Sequence, residues 1–78
     1  MLTVEQLKMA RSALGWSIQK LAETSLVSAR TIKRIESEGL IEKVTPANIK
    51  LIRETLEAAG IEFIGEPDDG PGVRLWRK

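Results

Sequence analysis

Seventy-eight residues carry 12 Lys+Arg against 11 Asp+Glu, a formal net charge of +1, and include neither histidine nor cysteine. A chain this short supports one small domain, and the missing residue types exclude a disulfide framework, the common zinc ligand sets and every His-dependent triad, so no enzyme activity, metal or cofactor is expected. An apolar fraction of 42% and a charged fraction of 29% describe a soluble globule. With no apolar run near the ~20 residues of a membrane span and no secretory pattern, the cytoplasm is the expected compartment and a membrane is not an expected partner.

Leu7, Ala10 and Leu14 recur at helical spacing behind Thr3, whose hydroxyl caps a helix while Gln6 returns the bond three residues later. Gly15 supplies a left-handed stop, which predicts a first helix over Val4 to Leu14. Ser17 caps a second, short helix with Ile18, Leu21 and Ala22 as its inner stripe, ending near Ser25. Ser28 caps a third, from Ala29 to about Ser37, in which only Ile32 and Ile35 are strongly apolar. One narrow edge of that helix packs, and Arg30, Thr31, Lys33 and Arg34 point outward. A loop from Glu38 to Val44 precedes Thr45-Pro46, an N-cap with proline at the first helical position, and a fourth helix whose apolar set is Ile49, Leu51, Ile52 and Leu56 runs to Gly60.

After Gly60 the period changes. Ile61, Phe63 and Ile64 read as one strand and Val73 to Arg77 as a second, with the turn-forming run Glu66 to Gly72 between them. A lone hairpin is marginal in water, so it must pack on the helices or pair with another sheet. Asp68-Asp69 has no base, nucleophile or metal ligand beside it and reads as part of the turn; Gly70-Pro71-Gly72 has no strand-to-helix context for a phosphate loop. The expected fold is mainly α: four helices over residues 1–60, then a C-terminal β-hairpin over 61–78.

The charge is segmented. Met1 to Arg53 holds nine basic and five acidic residues, Glu54 to Val73 six acidic and no basic ones, and Arg74, Arg77 and Lys78 close the chain, giving +4, −6 and +3. A basic front and an acidic back suit an anion-binding surface, and equally suit plain solvated faces.

Two short helices joined by a tight turn, the second polar on one side, is the layout in which a second helix enters the DNA major groove. Leu21-Ala22, Val27-Ser28, Ile32, Ile35 and Glu36, taken together, resemble the lambda-repressor-like, or Cro/C1 (XRE), helix-turn-helix family over about Leu2 to Gly60. Ala22 is small where the helices cross, Val27 plugs the turn, and Ile32 and Ile35 anchor the recognition helix. Two positions depart from the family. Ile18 stands where a glutamine that touches phosphate is frequent. Leu26 stands where a turn glycine is usual, and a left-handed conformation there costs leucine on the order of 1 kcal/mol relative to glycine, which favours a reshaped turn.

The resemblance implies base reading by Ser28, Ala29, Arg30 and Arg34, with Arg30 and Arg34 four apart on one face and able to donate in pairs to guanine. It implies phosphate contacts from Ser17, Thr31, Lys33 and Lys43, and a structural ion pair between Arg11 and Glu36. Trp16 reads as a core plug. Trp76, among basic residues, suits either nucleic-acid contact or a dimer interface, and Ile61, Phe63, Val73, Leu75 and Trp76 are the expected dimerisation residues. The expected function is a sequence-specific regulator, most simply a repressor, bound to an inverted repeat in double-stranded DNA as a homodimer. A toxin partner, as for an antitoxin, and sequestration of another regulator through protein contacts are the alternatives.

Overall fold

A computed structural model describes residues 2–39 and 41–76, the side chain of Glu42 excepted. Its element order is α1 (Val4–Leu14), α2 (Ile18–Ser25), α3 (Ala29–Glu38), a 3₁₀ turn (Ile41–Lys43), α4 (Pro46–Ala58), β1 (Ile61–Glu66) and β2 (Asp69–Leu75). The protein is therefore mainly helical with a two-stranded antiparallel sheet at its C-terminal end.

Each helix begins where a hydroxyl can satisfy an orphan amide. Thr3 Oγ1 accepts from the Gln6 amide at 3.0 Å while Gln6 Oε1 accepts from the Thr3 amide at 3.0 Å, a reciprocal cap on α1. Ser17, Ser28 and Thr45 accept in the same way from the amides of Lys20, Thr31 and Asn48. Gly15 (φ 67°) and Gly39 (φ 68°) end α1 and α3 in the left-handed conformation that glycine adopts without steric cost.

The turn between α2 and α3 does not avoid the left-handed conformation at position 26. Leu26 itself takes the left-handed conformation, φ 66° and ψ 15°, and its amide donates to the Ala22 carbonyl as a glycine cap would. Beyond it, the Val27 amide donates to Ser25 Oγ and the Val27 side chain is buried. The local hydrogen bonds and the burial of Val27 outweigh the cost of placing a Cβ at positive φ. Leu26 is 84% exposed, so its side chain returns little of that cost. Leu26→Gly is therefore expected to stabilise the monomer by about 0.5–1 kcal/mol, the relief of strain exceeding the added freedom of the unfolded chain. Urea denaturation checks this, and a lowered midpoint would contradict it.

One core joins helices and sheet. Leu7 and Ala10 of α1, Leu21 and Ala22 of α2, Val27, Ile32 and Ile35, Ile52 and Leu56 of α4, and Ile61 of β1 are all buried in a single cluster with Leu2. Leu51, grouped with the apolar set of α4 by its spacing, is instead 40% exposed.

The hairpin differs from the sequence expectation in its turn. Only Pro67 and Asp68 lie between the strands, and Asp69 to Gly72, expected as loop, belong to β2. Ile61 pairs with Leu75, Phe63 with Val73, Ile64 with Gly72 and Glu66 with Asp69, so β2 carries one extra residue between the last two pairs. Gly65 (φ 79°) and Gly70 (φ 65°) permit that bulge, and a Cβ on Gly65 would run into the Gly70 carbonyl. Ile61, Phe63, Val73 and Leu75 turn toward the helical core, whereas Glu62, Arg74 and Trp76 are exposed. Arg77, expected in the second strand, lies outside the described residues.

The sheet is also fastened by a side chain. Gln6 is 1% exposed, and its Nε2 donates at 3.0 Å to the carbonyls of both Ile64 and Gly72. The amide thus spans the two strands next to the bulge and secures the hairpin to α1. No helix among the described residues is long and apolar enough to cross a membrane.

Candidate nucleic-acid interface

Helix α3 is held by two isoleucines, with Ala29, Thr31 and Glu36 half-buried and its remaining residues exposed. Ile32 and Ile35 are buried at 0% and 1%, three positions apart, which fixes the rotation of the helix about its axis. Arg30, Lys33 and Arg34 then fall on exposed faces. Arg30 and Lys33 form no ion pair among the described residues. Arg34 Nε lies 3.5 Å from Glu38 Oε2, an exposed pair one helical turn apart. Such pairs contribute little, so Arg34 is readily released to a stronger acceptor.

The start of α3 is more restrained. Ser28 Oγ accepts from the Thr31 amide at 3.1 Å and contacts Thr31 Oγ1 at 2.9 Å, so its hydroxyl is engaged within the cap and reaching a base would mean exchanging the Thr31 hydroxyl. Ala29 is half-buried and packs against the core.

The four residues assigned to phosphate do not form one group. Thr31 and Lys43 come together with Arg34 at the start of α4, where they line a cleft of about 180 Å³ with Thr45 and Asn48. Lys43 and Arg34, the latter paired with Glu38, thus lie beside the N-terminus of α4, whose dipole favours an anion. Lys33 is exposed elsewhere on α3, and Ser17 caps α2, its Oγ accepting from the Lys20 amide at 3.0 Å. Ile18 packs against the core instead of offering a polar group at that helix end. In the sequence Thr45 reads only as a helix cap and Asn48 has no role; the nearness of Lys43 to the Thr45 cap is the available signal.

Arg11 and Glu36 clamp the far end of α3 to α1. Arg11 Nε donates to Glu36 Oε2 at 2.8 Å and an Nη to Oε1 at 2.7 Å, a two-point bond, while the other Nη donates to the Trp16 carbonyl at 2.9 Å. The side chains are 25% and 10% exposed. Hydrogen bonding to Glu36 raises the Arg11 pKa above its ordinary value, burial opposes this, and the Glu36 charge adds to the rise. Trp16 is half-buried against the core, with Lys20 Nζ 5.6 Å from its ring centre.

Of the expected dimerisation residues, Ile61 is a core residue at 3% exposure, and Phe63, Val73 and Leu75 pack on the chain's own helices. Trp76 alone is open, at 59% exposure. Its Nε1 donates to Glu62 Oε1 at 2.8 Å and the Arg74 guanidinium lies 5.5 Å from its ring. Among the described residues no three His, Cys, Asp or Glu side chains gather as metal ligands.

No protein-family model matches the chain, and neither a curated protein nor a solved structure is significantly similar to it.

Proposed function

We propose that the protein is a sequence-specific double-stranded DNA-binding regulator of the lambda-repressor-like helix-turn-helix kind, most simply a cytoplasmic repressor acting as a homodimer. The observation that carries this reading is α3. A helix seated by two isoleucines and clamped by Arg11–Glu36 presents Arg30, Lys33 and Arg34 outward, beside a cleft that adds Lys43 and Thr31. Guanidinium groups on one exposed helix face can donate in pairs to guanine O6 and N7, and the cations of the cleft suit the adjoining phosphates. Two such helices in a dimer would meet successive major grooves about 34 Å apart, which calls for an inverted repeat.

Retardation of genomic fragments, beginning with the DNA upstream of the protein's own gene, tests the reading. Specific complexes should form at low salt and weaken with a log–log slope of about −0.9 per phosphate contacted; their absence across selected genomic fragments would overturn it. Arg30→Ala and Arg34→Ala should each cost about 1–3 kcal/mol on cognate DNA with thermal stability almost unchanged. Equal losses on random DNA would assign these arginines to phosphate instead of bases.

A second reading draws on the exposed Leu26: a helix-turn-helix-like module that binds another protein, such as a toxin or a second regulator, with little affinity for DNA. Salt-independent complexes with protein and no retardation of DNA would favour it.

A further inference from the structure

The exposed Leu26 has a neighbour. Leu26, at 84% exposure, and Leu51, at 40%, line one surface groove of about 340 Å³ between the α2–α3 turn and α4. Thr24, Ser25, Thr55 and Ala58 complete its lining together with Glu54. Glu54 forms no ion pair among the described residues, and it opens the acidic stretch of the chain. The groove therefore combines open apolar surface with unpaired negative charge. Leu26 also holds its place at positive φ, where glycine would fit at lower cost, so the exposed side chain is maintained against a local penalty.

The same chain carries the complement. In sequence order Arg74 precedes Trp76 and Arg77 and Lys78 follow it, a +3 segment about an exposed aromatic side chain, in which Arg74 is paired within its own copy to Glu62 Oε1 at 3.4 Å. Within one copy this tryptophan is held elsewhere, its amide donating to the Gly60 carbonyl at 2.7 Å and its indole to Glu62 on the outer face of the hairpin. It does not line the groove.

We propose that the Leu26–Leu51 groove receives the Trp76-bearing C-terminal segment of a second copy of this chain, reciprocally, as the contact that forms the homodimer. The two leucines take the indole, and Glu54 faces the basic residues beside it. A tryptophan in a pocket is the kind of anchor that dominates small interfaces. Because Ser28 and Arg30 follow Leu26 by two and four residues, the contact lies against the start of the helix assigned to base reading. The proposal rests on the homodimer of the reading above, and it is tested without DNA.

The absence of cysteine makes disulfide mapping clean. Thr24→Cys and Lys78→Cys chains, mixed and mildly oxidised, should give the mixed disulfide in clear excess over either symmetrical one, and Trp76→Ala in the Lys78→Cys chain should abolish the excess. In sedimentation equilibrium, Leu51→Glu and Leu26→Gly should each raise the dimer dissociation constant by about tenfold or more. Leu26→Gly is the decisive variant, since it should strengthen the monomer's fold while weakening the dimer. A statistical disulfide mixture, a monomer at all concentrations, or a dimer indifferent to both substitutions would overturn the proposal, and capture of a different protein by the groove in place of a second copy would do the same. A mixed disulfide with no retardation of DNA would sustain the dimer contact and count against the regulator.

Discussion

Gln6→Ala is expected to destabilise the protein by about 3 kcal/mol, a large share of the roughly 4–12 kcal/mol available to a domain of this length. The substitution removes an amide that is 1% exposed and makes three bonds, donating to the Ile64 and Gly72 carbonyls and accepting from the Thr3 amide. Each buried group left without a partner costs about 1–3 kcal/mol, and the small cavity adds to this. Gln6→Glu separates the two functions. A carboxylate can still complete the α1 cap, yet it has no proton to donate and would face two carbonyl oxygens. At neutral pH that variant should be at least as unstable as Gln6→Ala. Burial beside carbonyls favours the protonated acid in the folded state, so its folded pKa would be raised and its stability should improve as pH falls. Urea denaturation of both variants at two pH values checks this, and a loss below about 1 kcal/mol for Gln6→Ala would deny Gln6 this role.

The same bonds make the hairpin unsuitable for removal by truncation. Deleting Gly72 to Lys78 would take an acceptor from Gln6 and strip Val73 and Leu75 from the core, so lost dimerisation in such a chain would report unfolding. Point changes at Trp76, Leu26 and Leu51 leave the core intact, since all three side chains are exposed.

What the sequence disclosed and what it concealed divide along range. Thr3, Ser17, Ser28 and Thr45 act within four residues of themselves, and the helix starts they imply coincide with those of the structure. The polar breadth of α3 follows from Ile32 and Ile35 alone, because helical geometry converts their spacing into a face. The concealed features join distant positions. Gln6 to Gly72 spans 66 residues, and nothing at Gln6 distinguishes a plain capping residue from one that also bridges two strands. Leu51 shares the spacing of its buried neighbours but lies at the margin of the stripe, where helix rotation decides exposure. The run Glu66 to Gly72 is rich in turn formers, and only the paired left-handed glycines reveal that most of it belongs to the ladder. Leu26 is the reverse case: a rule of local conformation disfavours leucine at positive φ, and the burial of Val27 beside it holds it there.

Breaking the clamp on α3 is the other large effect. Arg11→Ala should cost about 2–3 kcal/mol, below the 3–5 typical of fully buried pairs because Arg11 retains a quarter of its exposure. The loss has two sources: the Glu36 carboxylate, 10% exposed, is left without its partner, and the Trp16 carbonyl loses a donor. Glu36→Gln preserves shape and one acceptor, so it should cost less than Arg11→Ala. Removing both partners should cost less than the sum of the single changes, with a coupling of about 1–2 kcal/mol in a double-mutant cycle. Arg11 itself sets no pH limit in the neutral range. Its folded pKa is raised, so its contribution is complete below the unfolded value and declines only in strong alkali; the difference between parent and Arg11→Ala should stay constant from pH 7 to about 10. If α3 reads DNA, the clamp acts on how much protein is folded and how firmly the helix is held, whereas Arg30 and Arg34 act on which bases are chosen. Arg11→Ala should then weaken cognate and mutated operators by the same factor at a temperature where the variant remains folded, measured by retardation titrations on both. A change in their ratio would move Arg11 from the scaffold into the reading surface.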